Sequence, residues 1–440
     1  MIIIHRNTAL YIIWLIAIII LSPHQVTGQN SEGISHSLYH QYEGDYYFEN
    51  GTYITGGPMD EVMGSLVFID PLEVSIGGVF IPESKFMFKS LQGGNAQILF
   101  DFDNKDNVKG LWWKVSGKEP LYAEKKLSPI VKKVEFRSGE VVLSGELLLP
   151  QTKGPHPVII NVNGSGKQTR HIGPWNTFPL KYGIAVLSYD KRGAGESTGD
   201  FSTAGYTDFA NDGLAAIEFS KQQPEIDTSR IGLHGSSEGG WVASIAASKS
   251  KDLDFMIVRA GSGVSGSDTY IHEVKNELKE KDLIDEEYIK AVRFERTIQD
   301  MAGDNMPLPN INDYIHSFKI SNSWYSKAFG DYNGMSPEYY QKLKKSGPID
   351  PVDYLRNVSD IPVLWFLAEE DENVPYELSK PRLKDAMEES GNKDFELITI
   401  PGAKHSFLVY TPDGKMKYAD GYWDKMISWL QNHGITAVDK

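Results

Sequence analysis

The segment Gly235–Gly239, Gly-Ser-Ser-Glu-Gly, carries the strongest chemical signal in this 440-residue sequence. It follows the apolar run Arg230–Leu233 and overlaps the start of a predicted helix at Glu238–Ser248. Gly-x-Ser-x-Gly between a strand and a helix is typical of a nucleophile elbow, a tight turn that exposes a serine hydroxyl and has no room for side chains at the two glycines. We therefore predict that Ser237 is a catalytic nucleophile. The neighbouring Ser236 lacks glycines at both flanking positions.

A serine hydroxyl reacts only when a base accepts its proton, so the elbow predicts a histidine and an orienting acid further along the chain. Asp371 follows the apolar run Ile361–Leu367, and His405 follows the run Phe395–Ile400. Both residues lie just after predicted strands, in an order along the chain that is known for such triads. We predict that His405 is the base and that Asp371 orients it.

Other interpretations of these two residues compete with the catalytic ones. A loop aspartate usually caps or forms a turn, and Glu369 and Glu370 are alternative acids in the same loop. The Asp-x-x-Val-Pro setting favours Asp371. A single histidine is more often structural, but among the 11 histidines of the chain only His405 directly follows the last predicted core strand.

The oxyanion formed by such an attack needs backbone N–H donors. The elbow itself aims the N–H of Glu238 at the site, close to the N-terminal end of the following helix. A second donor is expected in the loop Asn163–Gly166 after the predicted strand Val158–Val162, and Ser165 is the candidate there. An ordinary glycine turn is the alternative interpretation of this loop.

From about residue 126 the sequence alternates between short apolar runs and helical segments. Such alternation predicts an α/β fold with a mostly parallel, doubly wound sheet over residues 126–440. Residues 262–350 interrupt the alternation and predict a helical lid insertion, which begins with one long charged helix over Ile271–Met301. The other predicted elements are the lead-in hairpin Val131–Phe136 and Val141–Leu149, the strands Val158–Val162, Ile184–Ser188, Arg230–Leu233, Phe255–Val258, Ile361–Leu367 and Phe395–Ile400, and the helices Ala204–Gln222, Glu238–Ser248 and Tyr422–Leu430.

Residues 29–125 predict a separate, small β-rich N-terminal domain. Short alternating or aromatic runs are divided by turn residues, which favours a meander or a small barrel. Its aromatic residues, Trp112 and Trp113 among them, are expected mainly in a core, with a binding groove as the alternative. The acidic stretch Asp101–Asp106 predicts a hairpin turn, because it lacks the glycine and terminal glutamate of a calcium loop.

The first 28 residues have the features of a cleaved signal peptide. His5 and Arg6 precede the apolar run Ala9–Ser22, and the small residues of Val26–Gly28 suit cleavage before Gln29. The run is shorter than the roughly 20 residues that span a bilayer, which favours cleavage over an uncleaved membrane anchor. We therefore expect an exported protein, secreted or periplasmic, with no stable membrane insertion after cleavage.

Composition excludes several other classes of protein. The 44 basic and 59 acidic residues give a formal net charge of −15, which disfavours nucleic acids and anionic membranes as partners because both require a positive surface. The chain has no cysteine, so disulfides, thiolate nucleophiles and cysteine-containing metal sites are excluded. The hydrophobic fraction of 40% is ordinary for a globular protein with a sizeable core.

Over residues 126–440 these motifs resemble those of the α/β-hydrolase superfamily. Gly-Ser-Ser-Glu-Gly-Gly at 235–240, Tyr-Asp-Lys-Arg-Gly-Ala-Gly-Glu-Ser at 189–197 and Gly-Ser-Gly at 164–166 are similar to segments of exported bacterial esterases. Those esterases are related to the dienelactone-hydrolase and prolyl-oligopeptidase branches. The resemblance implies the α/β-hydrolase fold. It also implies one catalytic set, with a nucleophile, an acid, a base and two oxyanion donors: Ser237, Asp371, His405, Ser165 and Glu238.

Two positions near the oxyanion loop depart from the family pattern. Asn163 stands where many relatives have His, and Lys167 stands where the esterases of closest appearance often have Pro. These departures leave the three triad positions unchanged and concern the oxyanion loop and the positioning of substrate.

The predicted function is hydrolysis of a small-molecule acyl ester through an acyl-enzyme intermediate, with no metal or cofactor. A serine peptidase of the prolyl-oligopeptidase-like type, with the same triad, is the nearest alternative, because pocket shape decides between ester and amide. A non-catalytic exported binding protein on a hydrolase scaffold, whose β-rich domain holds a glycan or surface polymer, is the alternative from another class. The sequence makes no prediction of oligomeric state.

Overall fold

The computed structural model describes residues 41–59, 65–69, 78–90, 96–410 and 416–436. The predicted signal peptide and everything else before residue 41 lie outside the described residues. Within the described ranges, no helix combines the length and the apolar character that a membrane crossing requires.

The N-terminal region forms a closed, antiparallel eight-stranded barrel, which confirms the predicted meander or small barrel. Each strand pairs with the next, and β1 also pairs with β8 to close the barrel. The strands are β1 (Gly44–Phe48), β2 (Tyr53–Met59), β3 (Ser65–Ile69), β4 (Gly78–Pro82), β5 (Met87–Ser90), β6 (Gln97–Phe102), β7 (Val108–Lys114) and β8 (Leu121–Leu127).

The barrel interior is filled by aromatic side chains, as expected for a small β core. Tyr46, Phe68 and Phe80 are buried there together with Trp113, whereas Trp112 points outward and is 42% exposed. The predicted hairpin turn is confirmed between β6 and β7, where the N–H of Asp103 donates to the carbonyl of Asn107 at 2.8 Å.

The second sheet has eight strands in the order β16-β15-β14-β13-β11-β12-β10-β9. The strands from β11 to β16 pair in parallel, while β9 and β10 form the predicted antiparallel lead-in hairpin and β10 pairs antiparallel with β12. The strands are β9 (Ile130–Ser138), β10 (Val141–Leu149), β11 (His156–Val162), β12 (Ala185–Tyr189), β13 (Ile226–Ser236), β14 (Phe255–Arg259), β15 (Val363–Ala368) and β16 (Phe395–Ile400). A separate two-stranded sheet, β17 (Leu408–Tyr410) and β18 (Met416–Tyr418), follows.

Helices cover both faces of this sheet, as the predicted doubly wound fold requires. One apolar cluster joins the sheet to the helices at residues 206–220, 239–249 and 376–390, and a second joins it to the C-terminal helix. The helices are α1 (Tyr206–Ser220), α2 (Gly239–Lys249), α3 (Gly266–Lys279), α4 (Asp285–Gly303), α5 (Leu308–Ser321), α6 (Tyr325–Phe329), α7 (Pro337–Ser346), α8 (Pro351–Leu355), α9 (Tyr376–Ser390) and α10 (Tyr422–Asn432). Two short 3-10 helices, Gly173–Asn176 and Phe178–Tyr182, precede β12.

Helices α3 to α7 lie between β14 and β15 within residues 262–350, where the sequence predicts a break in the alternation. The short helix α8 follows them and packs against the apolar cluster of the sheet. Much of this insertion has an apolar cluster of its own, which includes Val274, Phe294, Ile311 and Leu343. The insertion is therefore a packed helical unit and not a long loop.

The prediction of one helix over Ile271–Met301 was wrong, because two helices, α3 and α4, cover this stretch. The charged residues 279–282 between them are exposed and provide no apolar side chain to continue a buried stripe. A new helix starts beyond them, where the N–H of Ile284 donates to the carboxylate of Glu287 at 3.2 Å. Helical periodicity continues across the break, so the sequence pattern alone does not reveal it.

Candidate active site

Ser237 lies at the turn between β13 and α2, in a left-handed backbone conformation with φ of +55°. Its N–H donates to the carbonyl of Arg259 at the end of β14, at 2.9 Å. A Cβ atom on Gly235 would lie 2.3 Å from the carbonyl oxygen of Gly239, and a Cβ on Gly239 would lie 2.3 Å from that of Val162. Only glycine fits at either position, which is the steric reason for the predicted elbow.

Ser237, His405 and Asp371 meet in one chain of hydrogen bonds. His405 Nε2 is 3.1 Å from Ser237 Oγ, and His405 Nδ1 is 2.8 and 3.0 Å from the two carboxylate oxygens of Asp371. Asp371 also accepts the backbone N–H groups of Asn373 and Val374, both at 2.9 Å, and all three predicted residues are buried. In a neutral imidazole whose Nδ1–H donates to the carboxylate, Nε2 is unprotonated and can accept a proton from a hydroxyl group.

The competing residues point elsewhere. Glu369 and Glu370 are exposed, and the carboxylate of Glu369 accepts the N–H of Gly402 at 3.0 Å. The hydroxyl oxygen of Ser236 accepts a hydrogen bond from Arg259 Nη2 at 2.6 Å. These contacts leave Asp371 as the carboxylate that faces His405 among the three acids considered.

The predicted oxyanion loop passes directly beside the nucleophile. A Cβ on Gly164 would lie 3.6 Å from Ser237 Cβ, and the Ser165 hydroxyl donates to Glu238 Oε2 at 3.4 Å. Asn163 turns its amide inward and donates to the carbonyls of Thr169 and Tyr189. The asparagine therefore anchors this loop to its surroundings.

The carboxylate of Glu238 is buried at the start of α2, between Lys191 and Lys342. Lys191 Nζ lies 2.8 Å from Glu238 Oε1, and Lys342 Nζ lies 3.7 Å from Oε2. Burial alone would raise the pKa of this carboxyl, but the two ammonium groups outweigh burial and lower it. Glu238 is therefore ionised at neutral pH.

Sequence reasoning missed Arg259, which links the elbow to the loop that carries His405. Its Nη1 donates to the carbonyl of Ser406 at 2.9 Å, while its Nη2 donates to Ser236. The guanidinium lies within 5.9 Å of the ring centroids of Trp175 and Phe407. Only its position at the end of a predicted strand hinted at this contact.

Sequence reasoning also missed the polar residues that α3 brings to the acid loop. Asn276 Nδ2 donates to the carbonyl of Glu372 at 2.7 Å and lies 3.1 Å from His272 Nε2. Burial raises the pKa of the partly buried Glu273 to about 8, with the charges of Glu277 and Asp371 adding to the rise and that of Lys342 opposing it. The helical spacing of these polar residues in an otherwise solvated charge run is the signal that the sequence offered.

No group of three or more His, Asp or Glu side chains suited to a metal ion occurs within the described ranges.

Two family models match this chain, one after the other. The model of the X-Pro dipeptidyl-peptidase (S15) family matches residues 138–298, and that of the dienelactone hydrolase family matches residues 330–434. The first range contains Ser237, and the second contains Asp371 and His405.

Esterase EstD of Thermotoga maritima is 28% identical over 169 residues, which are 36% of this chain. The match covers 40% of the length of EstD, so the chain aligns with less than half of that relative. Among solved structures, the α/β hydrolase GrgF from Penicillium sp. sh18 is 18% identical with a TM-score of 0.46, and covers 69% of this chain and 99% of its own. An esterase of Pyrococcus furiosus is also 18% identical, with a TM-score of 0.42 and coverages of 69% and 91%.

Proposed function

We propose that this α/β hydrolase, which resembles the dienelactone hydrolase and S15 families, cleaves carboxylic esters through a Ser-His-Asp triad and an acyl-enzyme intermediate. The observation that carries the proposal is the unbroken chain of hydrogen bonds from Ser237 Oγ through His405 to Asp371. A hydrogen-bonded base beside a serine at a glycine-flanked elbow is what activation of a hydroxyl nucleophile requires.

In the first half of the reaction, Ser237 Oγ attacks the carbonyl carbon while His405 Nε2 accepts its proton. The carbonyl electron pair moves to oxygen, where the N–H groups of Ser165 and Glu238 stabilise the negative charge. When the tetrahedral intermediate collapses, the bond to the alkoxy group breaks and His405 protonates the departing alcohol. Water then attacks the acyl-enzyme in the same way, which releases the acid and returns the proton to Ser237.

Labelling with a fluorophosphonate probe tests the activated serine. We expect the wild-type chain to be labelled and Ser237→Ala and His405→Ala to remain unlabelled, because the probe needs both the hydroxyl and its base. Circular dichroism of each variant provides the control for folding. A folded wild type without labelling would contradict the proposal and favour the non-catalytic binding protein.

Ester cleavage is favoured over peptide cleavage by the similarity to EstD and to the dienelactone hydrolase family. The S15 match to residues 138–298 supports a peptidase as the second candidate. Turnover of p-nitrophenyl acetate and butyrate, measured beside that of an X-Pro p-nitroanilide, separates the two. We expect the esters to react and the anilide to be inert, and the reverse preference would establish the peptidase.

The helical insertion is proposed as a lid that shapes the acyl-binding site. Its helix α3 contacts the Asp371 loop through Asn276, and its helix α7 places Lys342 beside Glu238, next to the nucleophile. These two contacts bring the insertion to both the acid loop and the elbow.

Export through a cleaved signal peptide is a further part of the proposal, and it rests on the charged and apolar pattern of residues 1–28. Expression of the full sequence in a Gram-negative host, followed by mass spectrometry of the product, tests it. We expect a mature N-terminus at Gln29 in the periplasmic or extracellular fraction. An intact N-terminus in the membrane fraction would indicate an anchor instead.

A further inference from the structure

The carboxylate of Glu238 is a buried charge whose side chain plays no part in the proposed reaction. It is 2% exposed and lies directly after the nucleophile in the chain. Its contacts reach three other elements: Lys191 in the loop after β12, Ser165 in the loop after β11, and Lys342 in α7. A buried carboxylate costs several kcal/mol unless it is paired, so this arrangement calls for an explanation beyond the steric requirements of the elbow.

Lys191 extends this contact to the backbone of the oxyanion loop. Its ammonium is buried, and besides Glu238 it donates to the carbonyl oxygen of Gly164 at 2.7 Å. The carbonyl of Gly164 and the N–H of Ser165 belong to the same peptide group, and in a planar trans peptide the two point in opposite directions. A carbonyl held by Lys191 therefore directs the N–H of Ser165 away from the ion pair.

Asn163 anchors the start of this loop through its side chain, whereas Lys191 contacts the Gly164–Ser165 peptide group itself, through its carbonyl oxygen. Gly164 has no side chain to restrict its backbone, and a peptide between two flexible torsions can rotate as a unit. A rotated peptide would present a carbonyl oxygen, and not an N–H donor, to a developing oxyanion.

We propose that Lys191 and Glu238 are positioning residues that hold the Gly164–Ser165 peptide with its N–H directed into the oxyanion hole. Glu238 Oε1 holds the lysine, the lysine holds the carbonyl, and Glu238 Oε2 holds the Ser165 hydroxyl. Lys342 adds a second positive charge from helix α7 of the insertion, at 3.7 Å from Glu238 Oε2. The proposal rests on the proposed serine-hydrolase function, and it assigns to two side chains a role that the triad does not include.

The ionisation of Glu238 agrees with this role. The two lysines lower the pKa of its carboxyl despite burial, so the charge that holds Lys191 is present at neutral pH. Lys191 Nζ also lies 4.2 Å from the ring centroid of Phe209, which restricts the position of the ammonium further.

The test compares Lys191→Met and Glu238→Gln with a substitution in a neighbouring buried ion pair. Both substitutions keep the approximate shape of the side chain and remove one charge. Asp212→Asn is the control, because Asp212 on helix α1 is an equally buried carboxylate. Its partner Arg192, at 2.6 Å, directly follows Lys191 in the chain but donates to helix α1, so this variant reports the effect of disturbing the same loop without removing the contact to Gly164. Each variant is first examined by circular dichroism and thermal unfolding, and then by the second-order rate of fluorophosphonate labelling.

We expect each of the two site variants to lower the labelling rate about 10- to 100-fold, because a misdirected oxyanion donor weakens transition-state binding. The variant that carries both Lys191→Met and Glu238→Gln should be labelled at about the same rate as the slower of the two single variants, since the two residues act as a unit. Asp212→Asn should lose thermal stability and keep its labelling rate. Lys191→Arg should recover part of the rate lost in Lys191→Met, because it restores a cationic donor.

A second measurement separates positioning from a general loss of structure. The affinity for a trifluoromethyl ketone, whose adduct with Ser237 carries an oxyanion, should fall in parallel with the labelling rate, while KM for a turned-over substrate changes by about twofold or less. Labelling rates within twofold of the wild type in the folded single variants would overturn the inference. A wild type that is labelled rapidly but does not hydrolyse esters would contradict the proposed ester hydrolysis. The comparison of labelling rates would still decide the positioning role of Lys191 and Glu238. An unlabelled wild type would overturn both.

Discussion

Ser237 occupies a backbone conformation that few side chains adopt, and the residues around it have roles that follow from that conformation. The turn brings its hydroxyl to within 3.1 Å of His405 Nε2, at the carboxyl edge of a parallel sheet. The acid is held on two sides, by the imidazole and by the N–H groups of Asn373 and Val374. Such a carboxylate orients the imidazole and stabilises its charged form without accepting the proton.

We expect Asp371→Asn to lower kcat by about 10³- to 10⁴-fold, because an amide in place of the carboxylate favours the wrong tautomer of His405. The measurement is steady-state turnover of the best ester from the substrate comparison. Glu370→Gln is the matched control, since Glu370 is adjacent, exposed and was the competing acid by sequence. Equal losses in the two variants would contradict the assignment of Asp371.

The raised pKa of Glu273 predicts a dependence of stability on pH. Burial raises this pKa from its usual value of 4.5 to about 8, so between these values the folded protein retains a proton that the unfolded chain has released. The contribution of Glu273 to stability is therefore fully present below pH 4.5 and is lost as the pH rises through about 8.

Thermal unfolding between pH 5 and pH 9 tests the prediction for Glu273. The wild type should lose more stability over this range than Glu273→Gln, whose side chain cannot ionise. Glu280→Gln, an exposed residue at the end of the same helix, should follow the wild type. Parallel curves for wild type and Glu273→Gln would show that Glu273 ionises normally.

At the scale of elements, the two ends of the helical insertion lie next to each other. The N–H of Gly266 donates to the carbonyl of Ile349 at 3.1 Å, and the N–H of Ser267 donates to that of Gly347 at 2.9 Å. The start and end of the insertion are thus adjacent. Residues 268–346 pack largely around an apolar cluster of their own. Their removal therefore leaves the apolar clusters of the sheet in place.

We expect a variant in which a short Gly-Ser linker replaces residues 268–346 to fold and to remain reactive towards the fluorophosphonate. If the insertion shapes the acyl site, the ratio of kcat/KM for butyrate and octanoate esters should change by about tenfold or more, since each methylene in an apolar pocket contributes roughly 1–3 kcal/mol of discrimination. Rates on both esters give the measurement. An unchanged ratio in a folded, labelled variant would assign the insertion to stability alone.

At the scale of the whole molecule, the barrel packs on the second sheet through a close backbone contact. A Cβ on Gly57 of β2 would lie 2.7 Å from the carbonyl group of Gly173, and Val67 and Val79 of the barrel join the apolar cluster of Trp175. Met59 and Ile172 form an isolated antiparallel bridge beside this contact. The barrel therefore reaches the 3-10 helix that follows the predicted oxyanion loop at residues 163–166.

Gly57→Val should destabilise the protein by roughly 1–3 kcal/mol, because the backbone of Gly173 cannot move away from a side chain without disturbing the segment behind the oxyanion loop. Differential scanning calorimetry of the full chain measures the effect. Gly303→Ala is the control, because a Cβ there would find its nearest neighbour only at 4.0 Å. A wild-type unfolding profile for Gly57→Val would mean that the barrel adapts without cost.

The sequence by itself predicted the features that depend on local rules. Glycines at 235 and 239 flank a serine because any Cβ there meets backbone, and this constraint is visible in five residues. Alternation of apolar runs and helical segments predicted the order of elements, and its breakdown after β14 located the insertion. Loops at the carboxyl ends of parallel strands converge, so Asp371 and His405 were expected beside Ser237 although 34 and 168 residues separate the hydrogen-bonded partners.

The tertiary structure alone decided which side chains meet when no local rule governs them. Lys191 and Glu238 are 47 residues apart, and the sequence pattern assigned a role to the backbone N–H of Glu238 but none to its carboxylate or to the Lys191 side chain. The break between α3 and α4 and the contact of Arg259 with the histidine loop likewise depend on packing. The physical reason is the same in each case: backbone sterics and hydrophobic periodicity act over a few residues, whereas the partner of a buried charge is set by which loops the sheet and the insertion bring together.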